Sequence, residues 1–145
     1  MKKYLILLLF LTIYLPLFAD NPNDPDVIHL RNNPNQLANI PIVFRVMQRY
    51  GVPDVNGDGV INCIDYSIRF RMLYGSDAKL MINNNRRNGM NHMFIRIWTR
   101  PGQFIDVEPQ GTPTLYSMGL IWGTRYDLEY SRDVTNHWTH VVGGM

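Results

Sequence analysis

Residues 54–75, "DVNGDGVINCIDYSIRFRMLYG", constrain this chain most, because they dictate a closed loop and the helix that leaves it. Counting from Asp54, oxygen-bearing side chains fall at positions 1, 3, 5, 9 and 12 as Asp54, Asn56, Asp58, Asn62 and Asp65, with Gly59 at position 6 and Val60 at position 7. That alternation turns oxygens to the inside of a tight loop, the glycine permits the bend, and the Val60 carbonyl adds one more oxygen. Calcium, which takes about six to eight hard oxygens, is the ion such a loop suits. The expected ligands are therefore Asp54, Asn56, Asp58, Val60, Asn62 and Asp65. An Asx/Gly turn without metal is the plainer account of the same residues. Beyond the loop, Ile64, Ile68 and Met72 recur at i+4, Phe70 and Leu73 widen the stripe, and Gly75 supplies a stop. This spacing predicts a helix over about residues 62–74.

The chain begins "MKKYLILLLFLTIYLPLFA", two lysines followed by an apolar run that ends at Phe18 and Ala19. That is the layout of a secretory signal peptide over residues 1–19 cut after Ala19, and it is short for a full membrane span. No stable membrane anchor is expected after cleavage, and the destination is secreted or periplasmic. Removing nineteen residues from 145 leaves about 126, enough for one domain with a modest core. Lys2 and Lys3 leave with the leader, so fourteen basic residues become twelve against twelve acids. A near-neutral chain gives no charge argument for nucleic acid or an anionic membrane. Its single cysteine, Cys63, excludes an internal disulfide and leaves packing, with help from a metal, to supply stability.

Residues 20–39, rich in Asn, Asp and Pro, read as an extended lead-in, and residues 40–145 as one domain. "PIVFRVMQRYG" predicts a short helix with Ile42, Val46 and Met47 on one face, Pro41 early and Gly51 at its end. "AKLMINN" predicts a strand and "NNRRNGMN" a polar loop. "NHMFIRIW" alternates Met93, Ile95 and Ile97 against His92, Phe94, Arg96 and Trp98, and after the "TRPG" turn "QFIDVE" alternates again, giving a hairpin. "TLYSMGLIW" and "YDLEYS" read as further strands, while "HWTHVVGGM" has no clear period. Helices first and an antiparallel sheet after them indicate an α+β domain with the helices packed on the sheet.

Cys63 falls in the first turn of the predicted helix, where unpaired N–H groups and the positive end of the helix dipole stabilise a thiolate. A nucleophile needs a base within reach and a third group to orient that base. His92 opens the first hairpin strand and Asp106 lies on the second, on the same face if paired residues sum to an even number. A register opposing Phe94 with Asp106 sets His92 on its diagonal, so the expected triad is Cys63, His92 and Asp106. Taken singly, each has an ordinary alternative: a core cysteine, a surface histidine and a turn-proximal acid.

From Ile61 to Pro109 the chain resembles the transglutaminase-like superfamily of papain-like folds. "NCIDYSIRFRMLYG" is similar to that family's helix with the nucleophile at its start, "NHMFIRIW" to its histidine strand and "QFIDVEP" to its aspartate strand. The resemblance implies Cys63 as nucleophile, His92 as general base and acid, and Asp106 as orienter. "CIDYS" is most similar to bacterial transglutaminase-like cysteine peptidases, periplasmic enzymes that bind calcium beside the active site, which implies a calcium role for Asp65. Those enzymes have an acid just before the cysteine, where this chain has Asn62. Residues 54–65 also resemble a dockerin or EF-hand-like calcium loop, with Asp65 in place of the EF-hand Glu and one copy where dockerins have two.

The expectation is an exported cysteine hydrolase, a peptidase or amidase acting on a peptide or protein substrate through an acyl-enzyme, with a calcium loop beside its nucleophile. A non-catalytic calcium-binding or adhesion module on the same scaffold, and an inhibitor or immunity-like partner, are the competing readings. His137 and His140 stand three apart without a visible third metal ligand, Arg86 and Arg87 fit a solvated loop, and Trp98, Trp122 and Trp138 fit sheet-face or core packing.

Overall fold

A computed structural model describes residues 20–85, 90–110, 120–122 and 131–143. The expected leader, Arg86 and Arg87, and the larger parts of "TLYSMGLIW" and "YDLEYS" lie outside the described residues. Four α-helices and five strands are present among the described residues: α1 (Pro25–Asn32), α2 (Ile40–Tyr50), α3 (Cys63–Tyr74), β1 (Lys79–Asn85), β2 (Met90–Arg100), β3 (Gln103–Val107), β4 (Leu120–Trp122), β5 (Ser131–Asp133) and α4 (Thr135–Val141). The strands form one antiparallel sheet in the order β4-β3-β2-β1-β5, so β2 lies at its centre. The architecture is α+β. None of the described helices is long and apolar enough to cross a membrane.

The lead-in expectation is corrected: residues 20–39 contain α1 and a single 3-10 turn, Leu37–Asn39. What reads as a run of turn residues is helix-starting chemistry. Asp24 caps α1 by accepting from Asp26 N–H at 2.8 Å, and Pro25 occupies the first turn, where its missing N–H is harmless. The same Asp24 carboxylate accepts from the Tyr50 hydroxyl at 2.7 Å and pairs with Arg49, tying α1 to α2. These partners, Tyr50 first, hold its pKa down at about 2. The unassigned C-terminal stretch likewise holds a helix, α4, which hangs from β1 through Thr135 Oγ1 accepting from Leu80 N–H at 2.9 Å.

In α2 the buried residues are Ile40, Val43, Phe44, Val46 and Met47, with Ile42 only partly covered. In α3, Ile68, Phe70 and Tyr74 are buried, whereas Met72 turns to solvent at 39% exposure and leaves the expected stripe. Phe70 meets Phe44 edge-on at 5.8 Å and stacks on Tyr74 at 5.7 Å, locking the two helices together. Against them the sheet presents Leu80, Met93, Ile95, Ile97, Ile105 and Val107, the alternation expected for β2 and β3. Gly75 ends α3 with φ at 127°, and a Cβ there would collide with the Asn35 side chain, so the turn into β1 demands glycine.

Candidate active site

The loop at residues 54–62 is built by short-range bonds to its own backbone. Asp54 accepts from Gly57 N–H at 2.8 Å, Asp58 N–H at 3.2 Å and Gly59 N–H at 2.7 Å, while Asp58 accepts from Val60 N–H at 2.8 Å. Gly57 and Gly59, at φ of 73° and 84°, take the left-handed conformations that let the chain curl so tightly. The loop then feeds directly into a capping box. Asn62 accepts from Ile64 N–H and Asp65 reaches back to Asn62 N–H, both at 2.9 Å. Asp65, fully buried, also accepts from Val55 N–H at 2.7 Å, so one carboxylate staples the start of the loop to the start of α3.

Asp54, Asn56, Asp58 and the Val60 carbonyl have the hard-oxygen chemistry of a calcium site, and Asn56 and Asp58 stand in contact at 3.0 Å. Asn62 and Asp65 are engaged in capping, with Asp65 keeping about one lone pair on each oxygen. Among the described residues no three His, Cys, Asp or Glu side chains gather into a metal cluster, and this loop draws on amide and carbonyl oxygens beside its carboxylates. His137 and His140 are both exposed on α4, His137 with its ring edge-on to Trp138.

With α3 started by this box, Cys63 becomes its first residue and stands half-buried over β2. The sulfur accepts from Met93 N–H at 3.4 Å and shares a hydrogen bond with the His92 side chain. The other end of the imidazole, Nε2, lies 2.7 Å from Glu108 Oε2, so the ring nitrogen left for the sulfur is Nδ1. Burial pushes the thiol pKa up, but the His92 hydrogen bond and the Met93 N–H more than offset it, and the net shift is downward. The hydrogen bonds to Cys63 and then to Glu108 raise His92 to about 9 against the opposing effect of burial. The lowered thiol and the raised imidazole both shift the pair toward thiolate and imidazolium.

The structure brings Cys63 and His92 together but not Asp106: the carboxylate beside the imidazole is Glu108 and not the expected Asp106. Asp106 is completely buried and holds Arg96 by two bonds, to Nε at 2.7 Å and Nη2 at 2.8 Å. That guanidinium also lies 3.8 Å above the centre of the Phe104 ring. The hairpin register opposes Arg96 with Asp106 and Ile95 with Val107, two residues away from the register expected. Residue parity on the shared face is unchanged, so the shift exchanges one acid for the next: continuing the ladder puts Glu108 on the diagonal of His92. The charge on Arg96 is the signal that finds it. Only one of the two acids two residues apart can satisfy that buried cation, and the other remains for the imidazole.

Trp98 lies on the sheet face against Phe104 at 5.1 Å, half exposed, and Trp138 packs at the edge of the core. No protein-family model matches the chain, and no curated protein and no solved structure matches it.

Proposed function

We propose that this protein is an exported thiol hydrolase of the transglutaminase-like, papain-like kind, cleaving an amide or ester bond in a peptide or protein through a Cys63 acyl-enzyme. The observation that carries the reading is the continuous relay from the Cys63 sulfur through the His92 ring to Glu108, set at the first residue of a helix. The Cys63 thiolate attacks the carbonyl carbon, a C–S bond forms, and the π electrons move to oxygen beside the Cys63 N–H. Collapse of that adduct breaks the bond to the leaving group, which takes its proton from the His92 imidazolium. Water then gives a proton to neutral His92 and attacks the thioester, and the thiolate departs. Glu108 fixes the ring by accepting from Nε2 and favours the imidazolium in both half-reactions.

When bound, calcium would supply positive charge and a cross-link within the loop, held by Asp54, Asn56, Asp58 and the Val60 carbonyl. A non-catalytic calcium-binding module is the second reading, favoured by the curled loop with its row of oxygens. One experiment separates them. Mixed with p-nitrophenyl acetate, the protein is expected to gain one acetyl group on Cys63 by mass spectrometry and to release nitrophenolate beyond one equivalent. Cys63→Ala should do neither. Absence of acetylation in the folded wild-type protein would leave the binding module standing.

A further inference from the structure

We infer that the cleft between the C-terminal end of α3 and α4 binds a tetrahedral oxyanion, a sulfate or phosphate group, through Arg71, Lys79 and His140. The cleft measures about 760 Å³ and lies at the opposite end of α3 from Cys63, so this site is independent of the proposed chemistry. Three arginines are buried. Arg69, Arg71 and Arg96 are 3%, 7% and 2% exposed. Arg69 pairs with Asp20 and Arg96 with Asp106, whereas Arg71 makes no ion pair among the described residues. A cation withdrawn from water with no anion in contact is costly, and an exogenous anion relieves that cost.

The geometry shows which edge of Arg71 is available. Nη1 gives its hydrogens to the carbonyls of Ser76 and Ala78 at 2.7 and 2.6 Å, and Nε is enclosed without a partner. Nη2 is neither enclosed nor hydrogen-bonded, so it is the donor Arg71 has left to offer, and Arg71 lines both this cleft and a smaller neighbouring one of about 310 Å³ beside Met72 and Gly75. Lys79 lines the same cleft and spends one hydrogen on the Ser76 carbonyl at 3.2 Å, keeping about two for a ligand. His140 and the Asn136 amide face it from α4. Two carboxylates, Asp77 and Asp133, act on Arg71 through space without touching it, and Asp133 is turned to the Thr135 N–H at 2.8 Å. Donors from three separate elements suit a tetrahedral acceptor better than a planar carboxylate.

The test is a titration of the protein followed by amide NMR shifts, with sodium sulfate and inorganic phosphate compared with sodium chloride at equal ionic strength. Saturable shifts at Ser76, Lys79, Asn136 and His140 are expected with sulfate and phosphate only. Lys79→Met should weaken binding about ten-fold, the effect of losing one charged hydrogen bond. His140→Ala, at an exposed position, provides a second variant that does not threaten the fold, should Arg71→Met fail to fold. Tighter binding of glycerol 3-phosphate than of inorganic phosphate would identify an ester as the source and the reverse a free ion, and either sustains the site. Shifts that chloride reproduces, equal saturation by acetate, or unchanged binding in both Lys79→Met and His140→Ala would overturn it.

Discussion

Two ion pairs join β2 to β3 and the residue that follows it, each a base on β2 with an acid opposite, and they differ in exposure and bonding. Arg96 and Asp106 are 2% and 0% exposed, bonded at two points and covered by an aromatic ring. His92 and Glu108, at the open end of the ladder, are 32% and 16% exposed and share a single bond. The closed pair is withdrawn from solvent and spends Arg96 Nε and Nη2 on the Asp106 carboxylate, so it holds β2 and β3 in register. The open pair leaves the far nitrogen of its imidazole for a sulfur. Position along the ladder, and not residue type, separates a structural carboxylate from one that can serve chemistry.

The sharpest way to break this comparison is to remove one acid at a time. Glu108→Gln is expected to lower acyl transfer to Cys63 by about 10²- to 10⁴-fold while leaving the fold intact, because an amide cannot hold the imidazolium. Asp106→Asn should do the reverse. It strands the Arg96 guanidinium in the sheet and should destabilise the protein by about 3–5 kcal/mol in denaturant titrations, with acetylation of the folded fraction changed less than about two-fold. If Asp106→Asn abolished acetylation in protein that remained folded, the two pairs would not be functionally distinct.

How far the sequence carries this distinction can be traced residue by residue. The alternation of Met93, Ile95 and Ile97 names the face of β2 that meets the helices, because every second residue of a strand shares a face. The same rule places His92, Arg96, Asp106 and Glu108 on the other face. Parity cannot say which acid opposes which base, since a two-residue slip preserves it. Register was settled by a long-range term, the desolvation of Arg96, which admits only a fully bonded partner. The loop and the start of α3 are legible because their bonds are local: Asn62, Asp65 and the glycines act within a few residues of themselves. The lead-in reads as extended for a related reason. Asp24 and Pro25 serve turns and helix starts equally well, and only the distant Tyr50 and Arg49 decide in favour of the helix.

The open pair and its sulfur should also declare themselves on titration. His92 has its pKa raised to about 9, so the stability it contributes is fully present below the ordinary histidine range and is lost as the pH rises through 9. Cys63 moves the other way: its contribution is present above the ordinary thiol range and is lost as the pH falls through its lowered value. Between those limits the thiolate and imidazolium coexist. Iodoacetamide alkylation of Cys63 is therefore expected to turn on below the ordinary thiol range and to show a second inflection near pH 9, where His92 releases its proton. Glu108→Gln should draw the second inflection toward lower pH, and Asp106→Asn should leave it in place. A single inflection at the ordinary thiol value in wild-type protein would mean that sulfur and imidazole titrate separately.

The smallest expected effect tests whether the loop serves the open pair at all. Asn62→Ala removes the side-chain acceptor for Ile64 N–H and should lower stability by about 1 kcal/mol, the ordinary value of a helix cap. Cys63 is the next residue, so fraying at that cap displaces the sulfur from Met93 N–H and His92 before it disturbs the core. The alkylation rate at neutral pH should thus fall by a larger factor than the stability loss alone would require, and added calcium should restore part of it. Loss of stability with an unchanged alkylation rate would show that the sulfur is held by the sheet and not by the loop. Because Met93 N–H and His92 both belong to β2, that outcome would transfer control of the thiol from the helix start to the strand that also carries the closed pair.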